Sequence, residues 1–340
     1  MGHRLAVLGT TGFTGKECLR LLGQHPEFEV ASCESLREQG GEGLAYSGAL
    51  HEDRSPGLDL DSLEGIDAVL VCGPHEPSAA LVPKLLEIVP RIVDLSAAFR
   101  LADPGLYPRY YGFEHPRPDL LQERVFGLTE WARDNLPNAR LVANPGCYVT
   151  SVLLPIQALL HAGCLAEASP IIADCKSGVS GAGKKLDPST HFASVHEDFR
   201  AYAVGTHRHE PEIREQLGTD RLYFTPHLLP IFRGILSTIH LQPAPGMRVH
   251  DLREALQARY GEEPFVEILA DGLPCISEVQ GTNVCRIGLS SHDDRIVIVS
   301  CLDNLIKGSA GQAIQNLNAM FGLPETLGLE RSSLAPEGWR

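Results

Sequence analysis

RLAVLGTTGFTGKECLRLL, at residues 4–22, joins a short apolar strand pattern to a glycine-rich turn and then to a helical pattern. Gly9, Gly12 and Gly15 follow the strand in a GxxGxxG arrangement. Glycines in such a turn let the backbone approach a pyrophosphate, which rests against the amide groups and positive dipole end of the helix. A tight turn without a ligand is the alternative. The turn predicts the following dinucleotide-binding residues: Gly9, Thr11, Gly12, Phe13, Thr14 and Gly15.

The end of the second predicted strand bears on the choice of dinucleotide. Cys33-Glu34-Ser35-Leu36-Arg37 follows directly from that strand. The Ser35 hydroxyl and the Arg37 guanidinium suit a 2′-phosphate and favour NADP, whereas a well-placed Glu34 would favour the free 2′-hydroxyl of NAD. We therefore expect NADP, with NAD as the alternative.

Strand and helix patterns alternate along the first part of the chain, as in a parallel sheet with crossover helices. Five short apolar runs predict buried strands: residues 4–8, 29–33, 68–72, 91–95 and 140–143. Two amphipathic stretches between them predict helices at 16–22 and 77–88.

The pattern changes after Cys147 to a helix at 150–161 and then to longer β-rich runs. These runs are residues 171–176, 234–241, 284–289 and 295–301. A last helical stretch at 309–321 has an apolar face that suits packing on the first domain. The sequence thus predicts an α/β chain of two domains: a dinucleotide-binding domain of 1–146 plus 309–340, and an α+β catalytic, substrate and oligomerisation domain of 147–308.

Composition and charge exclude several classes of protein. The 340 residues carry a formal net charge of -14, which argues against a nucleic-acid or anionic-membrane surface. No apolar run approaches the ~20 residues that span a bilayer. Nine cysteines without CxxC pairs, and a first segment without a signal-peptide pattern, predict reduced thiols and a soluble, cytoplasmic protein.

One cysteine stands apart from the other eight. Cys147 follows Asn144-Pro145-Gly146 between a predicted buried strand and a predicted helix. The positive end of a helix favours thiolate over thiol, so this position predicts a nucleophile. Of the others, Cys18 lies in a helical pattern. Four more, Cys33, Cys72, Cys175 and Cys301, fit buried strands as small hydrophobic residues.

Two histidines are candidates for the proton transfer that a thiol nucleophile needs. His207 and His209 flank Arg208 in HRHEPE, in a loop before a predicted helix. A metal site is the alternative, but no third or fourth ligand stands at a recognisable spacing, so we predict no metal. For His75, His227 and His240 we expect hydrogen-bonded structural roles.

The order of motifs resembles the N-acetyl-γ-glutamyl-phosphate reductase family of semialdehyde dehydrogenases over nearly the whole chain. The motifs are GTTGFTG at 9–15, DLSAAFRL at 94–101, YYGFEHPRPDLL at 110–121, ANPGCYVTS at 143–151, SGVSGAGKK at 177–185, HRHEPEI at 207–213, PIFRGI at 230–235, GTNVCRIG at 281–288 and DNLIKGSAGQAIQNLN at 303–318. The resemblance implies a Rossmann-type domain and an α+β dimerisation domain. It also implies NADPH-dependent reduction of an acyl phosphate in arginine biosynthesis, by a homodimer or homotetramer.

Carried over by position, the resemblance implies a role for individual residues. Cys147 is the nucleophile and His209 the general acid/base, with His207 as the alternative base or a substrate contact. Three residues, Gly178, Ser180 and Gly181, line the nicotinamide side, and Asn304 contacts the carboxamide.

The resemblance also suggests which cations bind the substrate. Arg100 is placed on the phosphoryl group, and Lys184 and Arg233 on substrate carboxylate or phosphate, because the planar arginine fork binds two oxygens together. Ordinary surface charge is the alternative for Lys184 and Arg233. Two departures stand out: Ala98 replaces a common Asp, which would remove a carboxylate beside the phosphate, and Glu76 replaces a common Gly.

Three rival functions remain at this level. A sister reductase acts on carrier-bound α-aminoadipyl phosphate in lysine biosynthesis, although the acidic carrier would need a basic docking surface. Aspartate-semialdehyde dehydrogenase shares the cysteine chemistry but not the HRHEPEI wording. A catalytically silent NADP-binding sensor or scaffold would not need Cys147, His209 and Arg100 together.

Overall fold

The computed structural model describes residues 2–34, 60–184 and 187–329, which form two β-sheets with helices packed on them. Ser35 and Arg37, the residues that favour NADP, lie outside this range. The first sheet has six parallel strands in the order β2-β1-β3-β4-β6-β5. Its strands are β1 His3–Leu8, β2 Phe28–Glu34, β3 Ala68–Val71, β4 Ile92–Asp94, β5 Val125–Phe126 and β6 Leu141–Ala143. Its helices are α1 Phe13–Leu22, α2 His75–Leu85, α3 Leu106–Tyr111, α4 Leu120–Glu123 and α5 Thr129–Ala132.

The second sheet has seven strands of mixed direction in the order β11-β12-β13-β10-β7-β9-β8. Its strands are β7 Ile171–Gly178, β8 Arg200–Ala201, β9 Leu222–Leu229, β10 Ile235–Leu241, β11 Val266–Ile268, β12 Cys285–His292 and β13 Arg295–Leu302. The remaining helices are α6 Cys147–His161, α7 Phe192–Val195, α8 His209–Leu217, α9 Val249–Tyr260 and, after a π-helical turn at Ile306–Ala310, α10 Gly311–Met320. The predicted fold class, a parallel α/β sheet with a second α+β unit, is confirmed.

Each strand predicted from an apolar run is present, but the sequence analysis did not predict β5, β8, β9 and β11. β9 contains Pro226, which has no backbone N–H to give to a neighbouring strand. The structure places Pro226 between β7 and β8 nevertheless, and its carbonyl accepts a hydrogen bond from the Tyr202 amide at 3.0 Å. β9 is therefore an inner strand that the sequence did not predict, because a run containing proline is not typical of one.

β1 lies at the point where the order of strands in the first sheet reverses. Its neighbours are β2 on one side and β3 on the other, so the chain winds outward both ways from β1. In open parallel sheets this switch point leaves a crevice beyond the carboxyl ends of the strands, where ligands bind. The glycine turn at residues 9–15 lies at the carboxyl end of β1, and hence in that crevice.

α10 carries polar side chains into the core of the first sheet. All ten of its residues are buried, and its apolar residues pack in one cluster with β1 and α1. Among the polar ones, Asn316 donates to the Gly127 carbonyl at 2.8 Å and to the Asn144 side-chain oxygen at 3.2 Å. Because Asn144 stands just before Cys147, this helix fixes the segment that leads into α6.

A buried ion pair holds the π-helical turn that precedes α10. The Lys307 ammonium lies 2.5 Å from a carboxylate oxygen of Glu130, and both side chains are fully buried. Lys307 also donates to the Gln315 side chain at 2.8 Å. Burial would raise the pKa of Glu130, but the Lys307 charge and the hydrogen bonds to the carboxylate together outweigh burial and hold that pKa below its usual value.

Replacing Lys307 by Met should destabilise the protein by about 3–5 kcal/mol, because it leaves the Glu130 carboxylate buried without its partner. A second change, Glu130→Leu, should recover most of that loss. Urea denaturation followed by circular dichroism measures both effects. Arg117→Gln, which breaks an exposed pair with Asp119, is the control and should leave the free energy of unfolding essentially unchanged. A Lys307→Met protein as stable as the parent would contradict this assignment.

Candidate active site

The three glycines of the turn differ in what surrounds them. Gly9 has φ +87°, and a Cβ there would lie 2.5 Å from the Cys72 carbonyl oxygen. A Cβ on Gly15 would collide with the Gly9 carbonyl. A Cβ on Gly12 would meet nothing nearer than 3.7 Å, and Gly12 lines a cavity. Gly9 and Gly15 thus permit close packing, whereas Gly12 leaves room for a ligand at the start of α1.

One cavity of about 760 Å³ extends from the glycine turn to Cys147. It brings together most of the predicted site residues: Gly9, Thr11, Gly12, Phe13, Thr14, Arg100, Cys147, Ser180, Gly181, Lys184, His209 and Asn304. Among the predicted residues that the structure describes, those outside the lining are Gly15, Gly178, His207 and Arg233. The cavity therefore joins the crevice of the first sheet to the start of α6.

Cys147 is the first residue of α6, at the end of a short connection from β6. Two glycines let other segments approach it closely. A Cβ on Gly146 would lie 2.5 Å from Nε2 of His209, and a Cβ on Gly308 would lie 2.8 Å from the Cβ of Cys147. The His209 ring thus packs against the residue before Cys147, and the π-helical turn packs against Cys147 itself.

Burial raises the pKa of the Cys147 thiol to about 11. The Arg100 charge and the backbone amides of Tyr148 and Cys147 lower it, and Glu212 raises it further. The expectation that the helix terminus makes this residue a thiolate is therefore not met in the free protein. Loss of hydration outweighs the helix terminus and the cation, so the resting group is a thiol that must lose its proton to react.

His209, the first residue of α8, is suited to accept that proton. Its burial, together with the charges of His207, Arg100 and Arg208, holds its pKa well below the usual value. The imidazole is consequently neutral near pH 7. Its Nδ1 is buried and has no hydrogen-bond partner among the described residues, while Nε2 points toward Gly146.

His207 occupies a more structural position. Its Nδ1 accepts a hydrogen bond from the backbone amide of His209 at 3.1 Å, and its ring packs edge-on against Tyr148 and Tyr202. Burial lowers the pKa of His207 to about 4. Since His207 does not line the cavity, the geometry favours His209 as the base.

Arg100 is fixed by the backbone around Cys147. Its Nε donates to the Asn144 carbonyl at 2.8 Å and its Nη2 to the Leu95 carbonyl at 2.9 Å. Its Nη1 lies 3.8 Å from Glu212, whose other oxygen accepts the Gly146 amide at 2.9 Å. Burial raises the pKa of Glu212 to about 7. The sequence analysis missed Glu212, although its position three residues after His209 on α8 places both on one helix face.

The structure does not place Arg233 in the cavity. Its guanidinium bonds Asp303, with Nε 2.7 Å from one carboxylate oxygen, and also lies 3.3 Å from Glu17. Two carboxylates engage this side chain in the structure, and its contact with substrate stays a prediction. Gly178 is likewise a packing residue, since a Cβ there would lie 2.7 Å from the Phe232 carbonyl.

Asn304 lines the cavity, but its amide is engaged by the protein. Its side-chain oxygen accepts the Gly234 amide at 2.7 Å, and its nitrogen donates to the Ser180 hydroxyl at 2.9 Å. Asn304 thus holds Ser180 at the cavity wall. Lys184, by contrast, is exposed beside the cavity.

Arg208 is an exposed cation in the cavity lining that sequence reasoning used only as an argument against a metal. It donates from Nη1 to Nδ1 of His75 at 3.2 Å. Burial, followed by the charges of Arg208 and Arg100, lowers the pKa of His75 to about 4. His75 is therefore neutral and accepts this bond, and it belongs to the cavity wall rather than to a separate structural site.

The two departures from the family pattern lie in different surroundings. Ala98 is fully buried in an apolar cluster with Phe99 and Tyr107, and it does not line the cavity. The expectation that Ala98 removes a carboxylate beside the phosphate is thus corrected, because this side chain faces the core. Glu76 is exposed and does line the cavity.

Within the described residues, no three His, Cys, Asp or Glu side chains come together as a metal site. Nor does any described helix have the length and apolar character needed to cross a membrane.

Comparison with known proteins agrees with this geometry. Residues 4–139 match the family model described as the NAD binding domain of semialdehyde dehydrogenase, and residues 147–304 match its dimerisation domain. The N-acetyl-gamma-glutamyl-phosphate reductase of Halorhodospira halophila is 44% identical, over 98% of this chain and 99% of that protein. The enzyme of the same name from Bordetella pertussis is 40% identical, with 98% of each chain covered.

The chain belongs to the N-acetyl-γ-glutamyl-phosphate reductase family. The resemblance predicted from its motifs is thereby confirmed. Solved structures share the fold of this reductase family member at low identity. Aspartate semialdehyde dehydrogenase II of Vibrio cholerae superposes with a TM-score of 0.68 at 19% identity, over 95% of this chain and 99% of that one. The Candida albicans enzyme with NADP superposes with a TM-score of 0.64 at 13% identity, over 94% and 99%.

Alkylation of Cys147 in the free reductase should accelerate about tenfold per pH unit from pH 8 to pH 10 without a plateau, because its pKa is raised to about 11. Iodoacetamide labelling followed by site-resolved mass spectrometry measures the rate. Arg100→Met should slow labelling at every pH in this range, since removing the cation raises the pKa further. A plateau already reached at neutral pH would mean that burial does not control this thiol.

Proposed function

We propose that this protein reduces N-acetyl-γ-glutamyl phosphate to N-acetylglutamate 5-semialdehyde and phosphate with NADPH, as a step of arginine biosynthesis. One observation carries the proposal: a single cavity connects the glycine turn with Cys147, so a dinucleotide and a covalently held acyl group have adjoining places. The names of the curated relatives support the same substrate.

The residues around the turn fit a dinucleotide. Gly12 leaves open space at the start of α1, and as the N-cap residue it has no side chain to bond the first amides of that helix. The amides of its first turn therefore remain available to a pyrophosphate. When bound, NADPH supplies the hydride that reduces the acyl carbon. NADP rather than NAD rests on Ser35 and Arg37 and stays a prediction.

The first chemical step belongs to Cys147 and His209. The sulfur attacks the acyl carbon while the thiol proton passes to the neutral His209 imidazole. Because both groups favour their uncharged forms, we expect this transfer to accompany the attack. The C–O bond to phosphate then breaks, His209 gives its proton to the leaving phosphate oxygen, and a thioester remains on Cys147.

Cations around the cavity are placed to bind the negatively charged phosphoryl group and the substrate carboxylate. Arg100 lies closest to the loop before Cys147, while Arg208 and Lys184 are exposed at the wall. We assign the phosphoryl group to Arg100 and Arg208, because they converge from the two sheets on one cavity. Lys184 is then the candidate for the carboxylate.

Cys147 and His209 also act in the release of the aldehyde. Reduction of the thioester carbon leaves an alkoxide on a thiohemiacetal, and the backbone amides at the start of α6 are placed to stabilise that charge. The alkoxide collapses to the aldehyde and expels the Cys147 thiolate. His209 then relays a proton from solvent to the sulfur, which accounts for the one proton that the overall reduction consumes.

We further propose that the protein works in the cytoplasm as a homodimer or homotetramer. The match of residues 147–304 to a dimerisation domain supports self-association. The proposed division is 1–146 plus 309–340 for NADP and 147–308 for the substrate and oligomer contacts. Packing of α10 against β1 and α1 supports that division within the described residues.

Two rival functions receive less support. A carrier-bound aminoadipyl phosphate would bring an acidic partner to a chain of net charge -14. A silent NADP-binding sensor would have no use for a thiol and a neutral imidazole that meet at one end of the cavity.

Phosphate-dependent reduction of NADP⁺ by N-acetylglutamate semialdehyde tests the proposal in the reverse direction. We expect turnover with the parent protein and a loss of at least about 10³-fold with Cys147→Ala, which removes the covalent step. NADPH binding by the variant is the control for folding. A folded parent protein that binds NADP but fails to turn over would refute this substrate.

Exchanging each histidine for asparagine should separate their roles. His209→Asn should lower kcat by about 10²–10⁴-fold, as expected for loss of an acid/base group, whereas His207→Asn should cost less than about tenfold. The same assay measures both variants, and thermal unfolding checks that each is folded. Equal losses, or a larger loss for His207→Asn, would reverse the assignment.

A further inference from the structure

Two cysteines that the chemistry does not use lie together beside the glycine turn. The sulfur atoms of Cys18 and Cys72 are 3.9 Å apart. Cys18 is fully buried on α1, the helix that begins at the turn. Cys72 directly follows β3, is partly exposed and lines the cavity. The pair thus bridges the helix and the strand end between which the turn is packed.

We propose that Cys18 and Cys72 form a reversible disulfide under oxidation, and that this disulfide weakens dinucleotide binding in the cavity while a bound dinucleotide disfavours the disulfide. The second half of this statement rests on the proposed function, which places NADP in that cavity. A disulfide requires sulfurs about 2 Å apart, so the two must close by about 2 Å. Rotation of two cysteine side chains and a small shift of α1 supply that movement.

The oxidant is a hydroperoxide, which is small enough to reach Cys72 through the cavity. The Cys72 sulfur attacks the peroxide bond, giving a sulfenic acid and releasing an alcohol, or water from hydrogen peroxide. Cys18 then attacks the sulfenic sulfur, the S–S bond forms, and the hydroxyl group leaves as water with the Cys18 proton. Two thiols lose two electrons in total, and the peroxide gains them.

The order of these steps follows from exposure and charge. Cys72 meets the cavity, whereas Cys18 is buried behind it. In the reduced pair, the contact with the Cys72 thiol, followed by burial, raises the pKa of Cys18 well above its usual value, so Cys72 is the sulfur that reacts with the oxidant first. In proteins of reducing compartments, disulfides of this kind are typically transient and redox-sensing.

Opposition between the disulfide and the dinucleotide follows from the position of the pair. The Cys72 carbonyl already touches the turn so closely that a Cβ on Gly9 would lie 2.5 Å from it. Drawing α1 toward the end of β3 therefore shifts the turn that would hold the pyrophosphate. If the disulfide weakens dinucleotide binding, the bound dinucleotide disfavours the disulfide by the same factor.

The test uses the full chain with Cys147→Ala, so that the nucleophile itself cannot be oxidised. The protein is treated with hydrogen peroxide with and without saturating NADP⁺, blocked with N-ethylmaleimide and digested by trypsin without reductant. We expect peptide 17–20 linked to peptide 55–84, with a yield at least about fivefold lower in NADP⁺. The oxidised protein should bind NADPH about fivefold or more weakly, with recovery after dithiothreitol.

Cys72→Ser and Cys18→Ser, each in the same background, are the matched controls. After peroxide treatment, dithiothreitol should not change the NADPH binding of either variant. Oxidation of Cys72 to a sulfinic acid with Cys18 still alkylated would overturn the disulfide. Equal yields of linked peptide with and without NADP⁺, in a protein shown to bind it, would overturn the opposition. If the reduced protein binds neither NADP⁺ nor NADPH, the proposed function fails, while the linked peptide still reports on the disulfide.

Discussion

Close packing on two sides of the Gly146-Cys147 segment is the constraint on which the site depends. Gly308 brings the π-helical turn against the cysteine, and Gly146 admits the His209 ring on the other side. Neither approach leaves room for a methyl group. The buried pair of Lys307 and Glu130 then holds the turn that carries Gly308, so a charge pair deep in the core sets the position of a thiol at the cavity.

This enclosure has an electrostatic consequence for the chemistry. Burial removes hydration that would stabilise the Cys147 thiolate, and this loss exceeds the help from Arg100 and the backbone amides at the helix terminus. The same burial keeps His209 neutral. The sulfur of Cys147 thus keeps its proton, and a neutral imidazole packs against the neighbouring Gly146. Under the proposed function, the nucleophile forms only as the sulfur attacks an electrophile.

Local patterns in the sequence were sufficient for the parallel sheet, for the glycine turn and for Cys147, because each depends on neighbours within a few residues. They were insufficient where the partner is remote in the chain. Arg233 looked like a free cation because Asp303, 70 residues later, could not be seen beside it. Arg208 was passed over for the opposite reason, since only the fold brings the HRHEPE segment to the wall that also holds His75. The strand containing Pro226 is a third case, in which a local rule against proline was overridden by the sheet around it.

The two cysteines that line this cavity, and Cys18 buried behind it, indicate what distinguishes a nucleophile from a thiol of the same kind. Cys72 and Cys147 both follow a strand of the first sheet and both line the cavity. The Arg100 charge and two backbone amides act on the Cys147 thiol, and the His209 ring packs against the preceding Gly146, whereas the sulfur of Cys72 lies 3.9 Å from that of Cys18. A cysteine among a base and positive charges is equipped for attack on an acyl carbon, and a cysteine facing another thiol is equipped for exchange of electrons. Residue type and cavity are shared, so the chemistry of each sulfur is decided by the groups within a few ångströms of it.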